Sequence, residues 1–227
     1  MMIMKIVVFA PHPDDELIGA GGSILKWMEE GHNIHIIYVS DGRAAYTYEK
    51  KMGRLILTEQ TQISEDELAG IRMREINEVI KFLEIPLENI SKFELPDQQV
   101  SEYIDLGVEK SKEIIKDADR LVIPSNNNPH TDHQATFTIA TKAAKELELS
   151  DIEFYVYSIY VSVKAPKEKR VKVDTANYRE KVYRALLLYD SQKYISSVKS
   201  SFKNKKRSRR ERFGVFKLED LNDYYNF

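Results

Sequence analysis

The sequence predicts an α/β domain built on a mainly parallel sheet, and three observations near its start carry that prediction. Residues 5–10 (KIVVFA) form a short, β-branched apolar run stopped by Pro11, the pattern of a buried strand. Residues 17–30 place Leu17, Ile18, Ile24, Leu25 and Met28 at helical spacing, with Gly31 as a stop. Residues 32–40 (HNIHIIYVS) read as a second strand. Strand, helix, strand implies a right-handed crossover between parallel neighbours. Sites in such sheets form outside the carboxyl ends of the strands. His12 and Asp15 fall just past the first such end, and Asp41 just past the second.

The remaining elements follow in order. Residues 41–64 are polar and turn-rich and predict a long binding loop or lid. Ser64 with Glu67 is a capping-box pair opening a helix to about residue 83, with Leu68, Ile71, Ile76, Val79, Ile80 and Leu83 on its apolar side. A strand at 90–95 ends in Pro96-Asp97, a helix covers 102–116, and a short buried strand covers 121–124. Then come a helix at 136–146, a strand at 153–160 and a helix at 178–190. No repeat or linker interrupts the chain, so residues 1–227 predict one domain. Its segment 199–212 holds eight basic side chains and one acid, and like-charge blocks are usually solvated and mobile. The functional alternative for that segment is a patch attracting an anionic substrate, phosphate or lipid head group.

Composition narrows the chemistry. The chain has 227 residues, ample for a sizeable core, and a formal charge of −2, which favours neither nucleic acid nor a membrane surface as partner. Cysteine is absent, so any metal must be held by histidine and carboxylates. The start MMIMKIVVFA is too short to span a bilayer and lacks a small-residue cleavage site, so a strand and a cytoplasmic protein are expected, with no transmembrane segment.

Residues 10–16 (APHPDDE) place one imidazole and three carboxylates within five positions. Such crowding is costly unless a cation sits among the acids or they open a helix, and capping alone accounts for it about as well. A second cluster tips the balance: His130-Thr131-Asp132-His133 follows another short strand. The two clusters can meet at one sheet edge. His12, Asp15 and one histidine of the second pair would form a His₂-carboxylate set with an open position, the arrangement of catalytic zinc. Such a metal lowers the pKa of bound water from about 15.7 to about 7. The set also suits iron(II).

At these residues the sequence resembles the PIG-L/LmbE-type family of zinc-dependent de-N-acetylases, which carries a PHPDDE block and an H-x-D-H block. Arg72-Met73-Arg74-Glu75, Leu95-Pro96-Asp97 and residues 181–192 (KVYRALLLYDSQ) resemble its R-x-x-E, LPD and Y-x-S-Q segments, so the resemblance reaches to about residue 193. Thr131 stands where the family often has proline. The resemblance implies a Rossmann-like three-layer domain and removal of the N-acetyl group from an N-acetylglucosamine-type conjugate by a zinc-activated water. It further implies that His12, Asp15 and His133 bind zinc and that Asp14 is the general base. His130 would polarise the oxyanion and pass a proton to the amine, with Asp132 orienting it. Arg72 would contact substrate and Asp41 would bond sugar hydroxyls.

Other readings stand beside this one. Hydrolysis of a larger N-acyl or thiol-conjugate amide would use the same groups. A non-hydrolytic metal- or sugar-binding module would need neither Asp14 nor His130. Gly19, Gly21 and Gly22 with Asp41 mimic a dinucleotide fingerprint, but residues 12–16 fill the turn where phosphate-binding glycines belong, so these glycines predict close helix–sheet packing. His32 and His35 read as structural, and Arg74 and Glu75 fit an ordinary helix surface equally. The tyrosines at 155–160 read as core rather than as a platform for sugar. The sequence carries no code for the aglycone, and a homo-oligomer is left open.

Overall fold

A computed structural model describes residues 2–220. The chain opens with β1 (Lys5–Ala10), α1 (Asp15–Glu29) and β2 (Asn33–Ser40), close to the expected bounds. It continues through α2 (Ala45–Lys51), α3 (Glu65–Leu83), β3 (Ile90–Leu95), α4 (Ile104–Ile115), β4 (Arg120–Pro124), α5 (Thr131–Glu146) and β5 (Glu153–Tyr157). The last part holds β6 (Arg170–Asp174), α6 (Arg179–Leu186), α7 (Ser196–Arg207) and β7 (Arg210–Lys217). One sheet of seven strands runs in the order β3-β2-β1-β4-β5-β7-β6. Strands β1 to β5 are mutually parallel, and β7 runs antiparallel to both β5 and β6. This is the α/β architecture with a mainly parallel central sheet that the sequence predicts.

Two apolar layers sandwich the sheet. On one face Leu17 and Ile24 of α1, Ile76 and Ile80 of α3, Val182 of α6 and Phe202 of α7 pack on Val8 and Ile36. On the other, Val108 and Ile115 of α4 and Ile139 and Ala143 of α5 pack on Val7, Phe9 and Ile123. The central strands β1, β2 and β4 are buried on both faces over most of their length, which is why they read as near-continuous apolar runs. Helix α1 lies very close to its neighbours. A Cβ on Gly19 would sit 2.3 Å from the Tyr157 ring, and one on Gly22 2.5 Å from Thr175 Cβ. These glycines serve packing, as expected. No helix among the described residues is long and apolar enough to cross a membrane.

Three expectations need correction. The stretch read as one long loop contains α2, whose buried Tyr46 donates to the Ser191 carbonyl. Helix α5 starts at Thr131, five residues before the predicted start at 136, so Asp132 and His133 occupy its first turn. The basic run 199–212 is not a free segment: it supplies most of α7 and the start of β7. Phe202 is buried, and Glu211 accepts from the Gly22 and Ser23 amides and pairs with Lys205. In β7 the inward positions Glu211 and Phe213 alternate with outward arginines, so charge hides an ordinary period-2 strand.

Candidate metal centre and active site

Every element that reaches the site does so at the carboxyl edge of the sheet. After β1, residues 11–14 turn into α1, with Asp14 at its N-cap in a left-handed conformation (φ 115°). After β4, the chain runs to His130, which caps α5: its Nδ1 accepts from the Asp132 amide at 3.2 Å. After β3 comes Asp97, whose Oδ2 accepts from the Ala44 amide at 3.0 Å. Three crossovers therefore deliver the two clusters to one place.

The two blocks meet. Asp15 Oδ2 lies 3.0 Å from His12 Nδ1 and 3.3 Å from His133 Nε2. A zinc ion bound at about 2.0–2.2 Å in tetrahedral geometry spaces neighbouring donors by about 3.4 Å. The two measured edges are close to that, slightly contracted. The donor set, two imidazoles and a carboxylate, is buried and suits a borderline divalent cation. The opposite nitrogen, His12 Nε2, lies 3.2 Å from Asp97 Oδ1 and 3.3 Å from Asp132 Oδ2. An imidazole that offers one nitrogen to a metal and the other to carboxylates has its tautomer and orientation fixed.

The electrostatics point the same way. Three buried carboxylates, Asp14, Asp15 and Asp97, line one cavity with Asp132 buried beside His12; Arg72 lies within ion-pair reach of Asp14, while Arg54 on the same wall is paired with Glu49. Burial alone would lower His12, but Asp97, Asp132 and Asp15 more than reverse this and hold it well above its ordinary value. Burial would raise Asp15, yet His133 and His12 keep it well below the usual carboxylate range. Asp97 is held low in the same way, chiefly by His12. Asp14 behaves oppositely: burial, then the Asp15 charge, push it well up against the smaller effect of Arg72. Burial lowers His130 to about 4, with His12 and His133 adding to the shift. These side chains border a cavity of about 370 Å³, whose walls also include Tyr48, Asn128 and Tyr160.

A family model described as PIG-L: GlcNAc-PI de-N-acetylase matches residues 7–144. The chain belongs to this family. As a member of the PIG-L family, it is similar in fold to N,N'-diacetylchitobiose deacetylase from Pyrococcus horikoshii, with TM-score 0.74, 21% identity, and 97% of this chain and 86% of that one covered. It is also similar in fold to GalB, the 4-carboxy-2-hydroxymuconate hydratase from Pseudomonas putida KT2440, with TM-score 0.64, 14% identity, and 94% and 95% covered. A stretch of 41 residues is 39% identical to a putative glucosamine-6-phosphate deaminase-like protein of Bacteroides thetaiotaomicron. That stretch is 18% of this chain and spans only 6% of that protein. Family membership and the His/Asp cluster together support a metal-dependent hydrolase of the deacetylase type.

Of the predicted site residues, Asp132 and Asp41 are engaged otherwise than expected, whereas Arg72 keeps a place at the cavity. Asp132 does not hold His130 through its carboxylate. Its oxygens accept from the Gln98 amide at 2.7 Å and the Val100 amide at 3.3 Å, and one faces His12. Its place in the first turn of α5 turns the side chain back toward β1, so only its backbone N–H reaches His130. Arg72 reaches the cavity wall, but its guanidinium donates to the carbonyls of Pro13 and Gly42, bracing the turn that carries Asp14. Asp41 does not border the cavity: Arg43, two residues on, folds back and bonds both its oxygens.

Asp97 was named in the sequence only as part of an LPD turn. Its signal was position, a carboxylate directly after a strand, as in the other two blocks. Gln98 and Asn128 had no sequence signal. Gln98 Nε2 lies 2.9 Å from His130 Nε2, and Asn128 bonds the His130 amide and the Ile159 carbonyl. Glu75 is no surface residue: it accepts from the Ser191 amide and hydroxyl at 2.6 and 2.7 Å. The R-x-x-E and Y-x-S-Q segments thus clamp each other.

Proposed function

We propose that the chain is a metal-dependent N-deacetylase that hydrolyses the acetamide of an N-acetylglucosamine-type sugar, releasing acetate and a free amine. The observation that carries this reading is the convergence of His12, Asp15 and His133 beside a buried Asp14 in one cavity. His12, Asp15 and His133 would hold the ion, zinc by preference and iron(II) as the alternative. When bound, such an ion would polarise the amide carbonyl and lower the pKa of water from about 15.7 to about 7.

The protein's own groups supply the rest. Asp14, buried and without a hydrogen-bonded cation, accepts the proton of the attacking water and returns it to the leaving nitrogen as the C–N bond breaks. Arg72 holds the Asp14 turn through the Pro13 carbonyl, so the base keeps its place. His130 Nδ1 is committed as an acceptor by the Asp132 amide, which leaves the proton on Nε2. That N–H is the donor offered to the developing oxyanion. The Gln98 side-chain amide, whose nitrogen is placed 2.9 Å from Nε2, accepts that N–H only when turned so that its oxygen faces the ring. Asp97 and Asp132 keep His12 oriented, a positioning role rather than a chemical one. The deacetylase name of the Pyrococcus structure supports an amino sugar as substrate.

The test is acetate release by zinc-loaded protein from N-acetylglucosamine and N,N'-diacetylchitobiose, followed across glucosamines of growing acyl length. Acetate release that falls as the acyl group grows supports the proposal. Preference for long acyl groups would make the protein an amidase. Metal binding with no amide cleaved anywhere in the panel would make it a binding module.

A further inference from the structure

The tyrosines at 155–160 read from the sequence as core, and two of them are. Tyr157 is fully buried, and its hydroxyl donates to the Phe9 carbonyl at 2.8 Å. Tyr155 is half-buried, with the Arg120 guanidinium 3.9 Å from its ring centroid. Tyr160 departs from that reading: 61% of its surface is exposed, and it stands on the wall of the candidate active-site cavity. Its φ of 65° is a left-handed conformation that a bulky residue adopts only where its surroundings impose it. Ile159, one residue before, is buried, and its carbonyl accepts from Asn128 Nδ2 at 2.9 Å. Asn128 Oδ1 in turn accepts from the His130 amide at 2.9 Å, and its Nδ2 lies 3.3 Å from His133 Nδ1. One buried amide thus ties the strained residue to both histidines of the second block. A glycine would adopt this conformation freely, so a tyrosine here points to a use for its ring.

The ring's surroundings indicate what it holds. Enclosure by the surrounding protein, then the charges of Asp14 and Asp15, raise its hydroxyl above the ordinary value, so the side chain lies in the field of those two carboxylates. Tyr48, on the same cavity wall, is already covered: the Arg54 guanidinium lies 5.7 Å from its ring centroid and the His130 ring 6.1 Å. Tyr160 instead leaves most of its surface open. The wall also carries Asn128, Gln192 and Ser197, which can bond hydroxyl groups. An open aromatic face with polar groups in the same cavity matches a pyranose, which has an apolar C–H face and a rim of hydroxyls. An acyl chain has no such rim.

We infer that Tyr160 is a specificity-determining residue whose ring stacks on the C–H face of the sugar that carries the acetamido group. This rests on the deacetylase reading for the acetamide, whereas the platform needs only a bound sugar ring.

The experiment measures binding of N-acetylglucosamine by NMR titration, in zinc-loaded full chain carrying Asp14→Asn to prevent turnover. Against that parent, Tyr160→Phe should bind equally, and Tyr160→Ala about three- to tenfold more weakly. Tyr160→Gly, which suits the backbone, should melt above Tyr160→Ala yet bind as weakly. N-acetylethanolamine, which has the acetamide and no ring, should bind all four proteins alike. In the active protein the alanine variant should raise KM for N-acetylglucosamine and leave kcat near the parent's. Binding that is lost in Tyr160→Ala and restored in Tyr160→Gly would mean that the backbone mattered and not the ring, and overturns the proposal. Equal weakening of N-acetylethanolamine overturns it as general damage. Dependence on Tyr160 seen for N-hexanoylethanolamine and not for the sugar would make the ring an acyl platform and overturns it as well, as does a parent that binds no sugar. If sugar binding depends on Tyr160 but zinc-loaded protein with Asp14 intact releases no acetate from any substrate, the deacetylase reading fails and the platform stands.

Discussion

Glu16 is the third acid of the first block and the one without an obvious task at a metal. It is fully buried, and burial raises it to about 7. One oxygen accepts from the Tyr189 hydroxyl at 2.6 Å, the other from the Asp14 amide at 3.1 Å. Asp14 itself sits at φ 115°, a conformation that costs a non-glycine residue about 1–3 kcal/mol. Glu16 therefore helps to hold the proposed base where its backbone would not rest unaided. Glu16→Ala leaves the buried Asp14 amide without its acceptor while the Tyr189 hydroxyl can turn to Tyr38 Oη, so a loss of about 1–3 kcal/mol is expected. That is a large share of a typical total of about 5–15 kcal/mol. If Asp14 also shifts by about 1 Å, kcat falls about 100-fold. Glu16→Gln keeps the shape and one acceptor, and its amide can donate to Tyr189, whose hydroxyl then turns to Tyr38 Oη at 3.4 Å. The assay is calorimetric unfolding with kcat, KM and metal content on the same samples. Expected are a lower Tm and kcat for the alanine variant, near-unchanged KM and metal, and recovery of both in the glutamine variant. An alanine variant that keeps the parent's kcat would refute the reasoning.

Three further outcomes follow from the same geometry. Asp14→Asn should lower kcat by about 10²–10⁴ while zinc content, measured by atomic emission, stays the same. His133→Ala should lose zinc and activity together, because it removes a nitrogen that lies 3.3 Å from the Asp15 carboxylate. His35, bonded to Ser91 Oγ at 2.9 Å, is lowered by burial, with a smaller effect of Lys5, to about 4. The unfolded chain protonates it near its ordinary value of about 6.5, so its neutral form stabilises the fold above that pH, and the contribution is lost as pH falls from about 6.5 to about 4. In denaturant titrations, the stability advantage of the parent over His35→Gln should shrink across that window; an advantage constant with pH would contradict it.

The sheet was legible because β1, β2 and β4 are buried on both faces, and β3 and β5 keep enough buried apolar positions between turn signals to stand out. Strands β6 and β7 were not, because their exposed positions carry lysine and arginine and drown the alternation of Val171, Val173 and Phe213. Helix α2 was hidden in the same way, seven residues with few apolar positions. At the site, two blocks pointed to one place because each follows a strand of the same sheet, and β1 lies next to β4. Which acid faces which imidazole was beyond the sequence. The direction of Asp132 depends on where α5 begins, and a start placed five residues late misassigns its partner. Asp41 shows the converse: a carboxylate in a promising position, engaged by Arg43 two residues away.

The account stands on where a divalent ion would sit. Two donor groups are available: His12, Asp15 and His133 on one side of the His12 ring, and His12, Asp97, His130 and Asp132 on the other. An anomalous-difference map from crystals of the zinc-loaded protein, measured at the zinc edge, decides between them. One peak at about 2.0–2.2 Å from His12 Nδ1, an Asp15 oxygen and His133 Nε2 is the predicted result. A peak among Asp97, His130 and Asp132 would contradict it, and so would a map with no peak at either place.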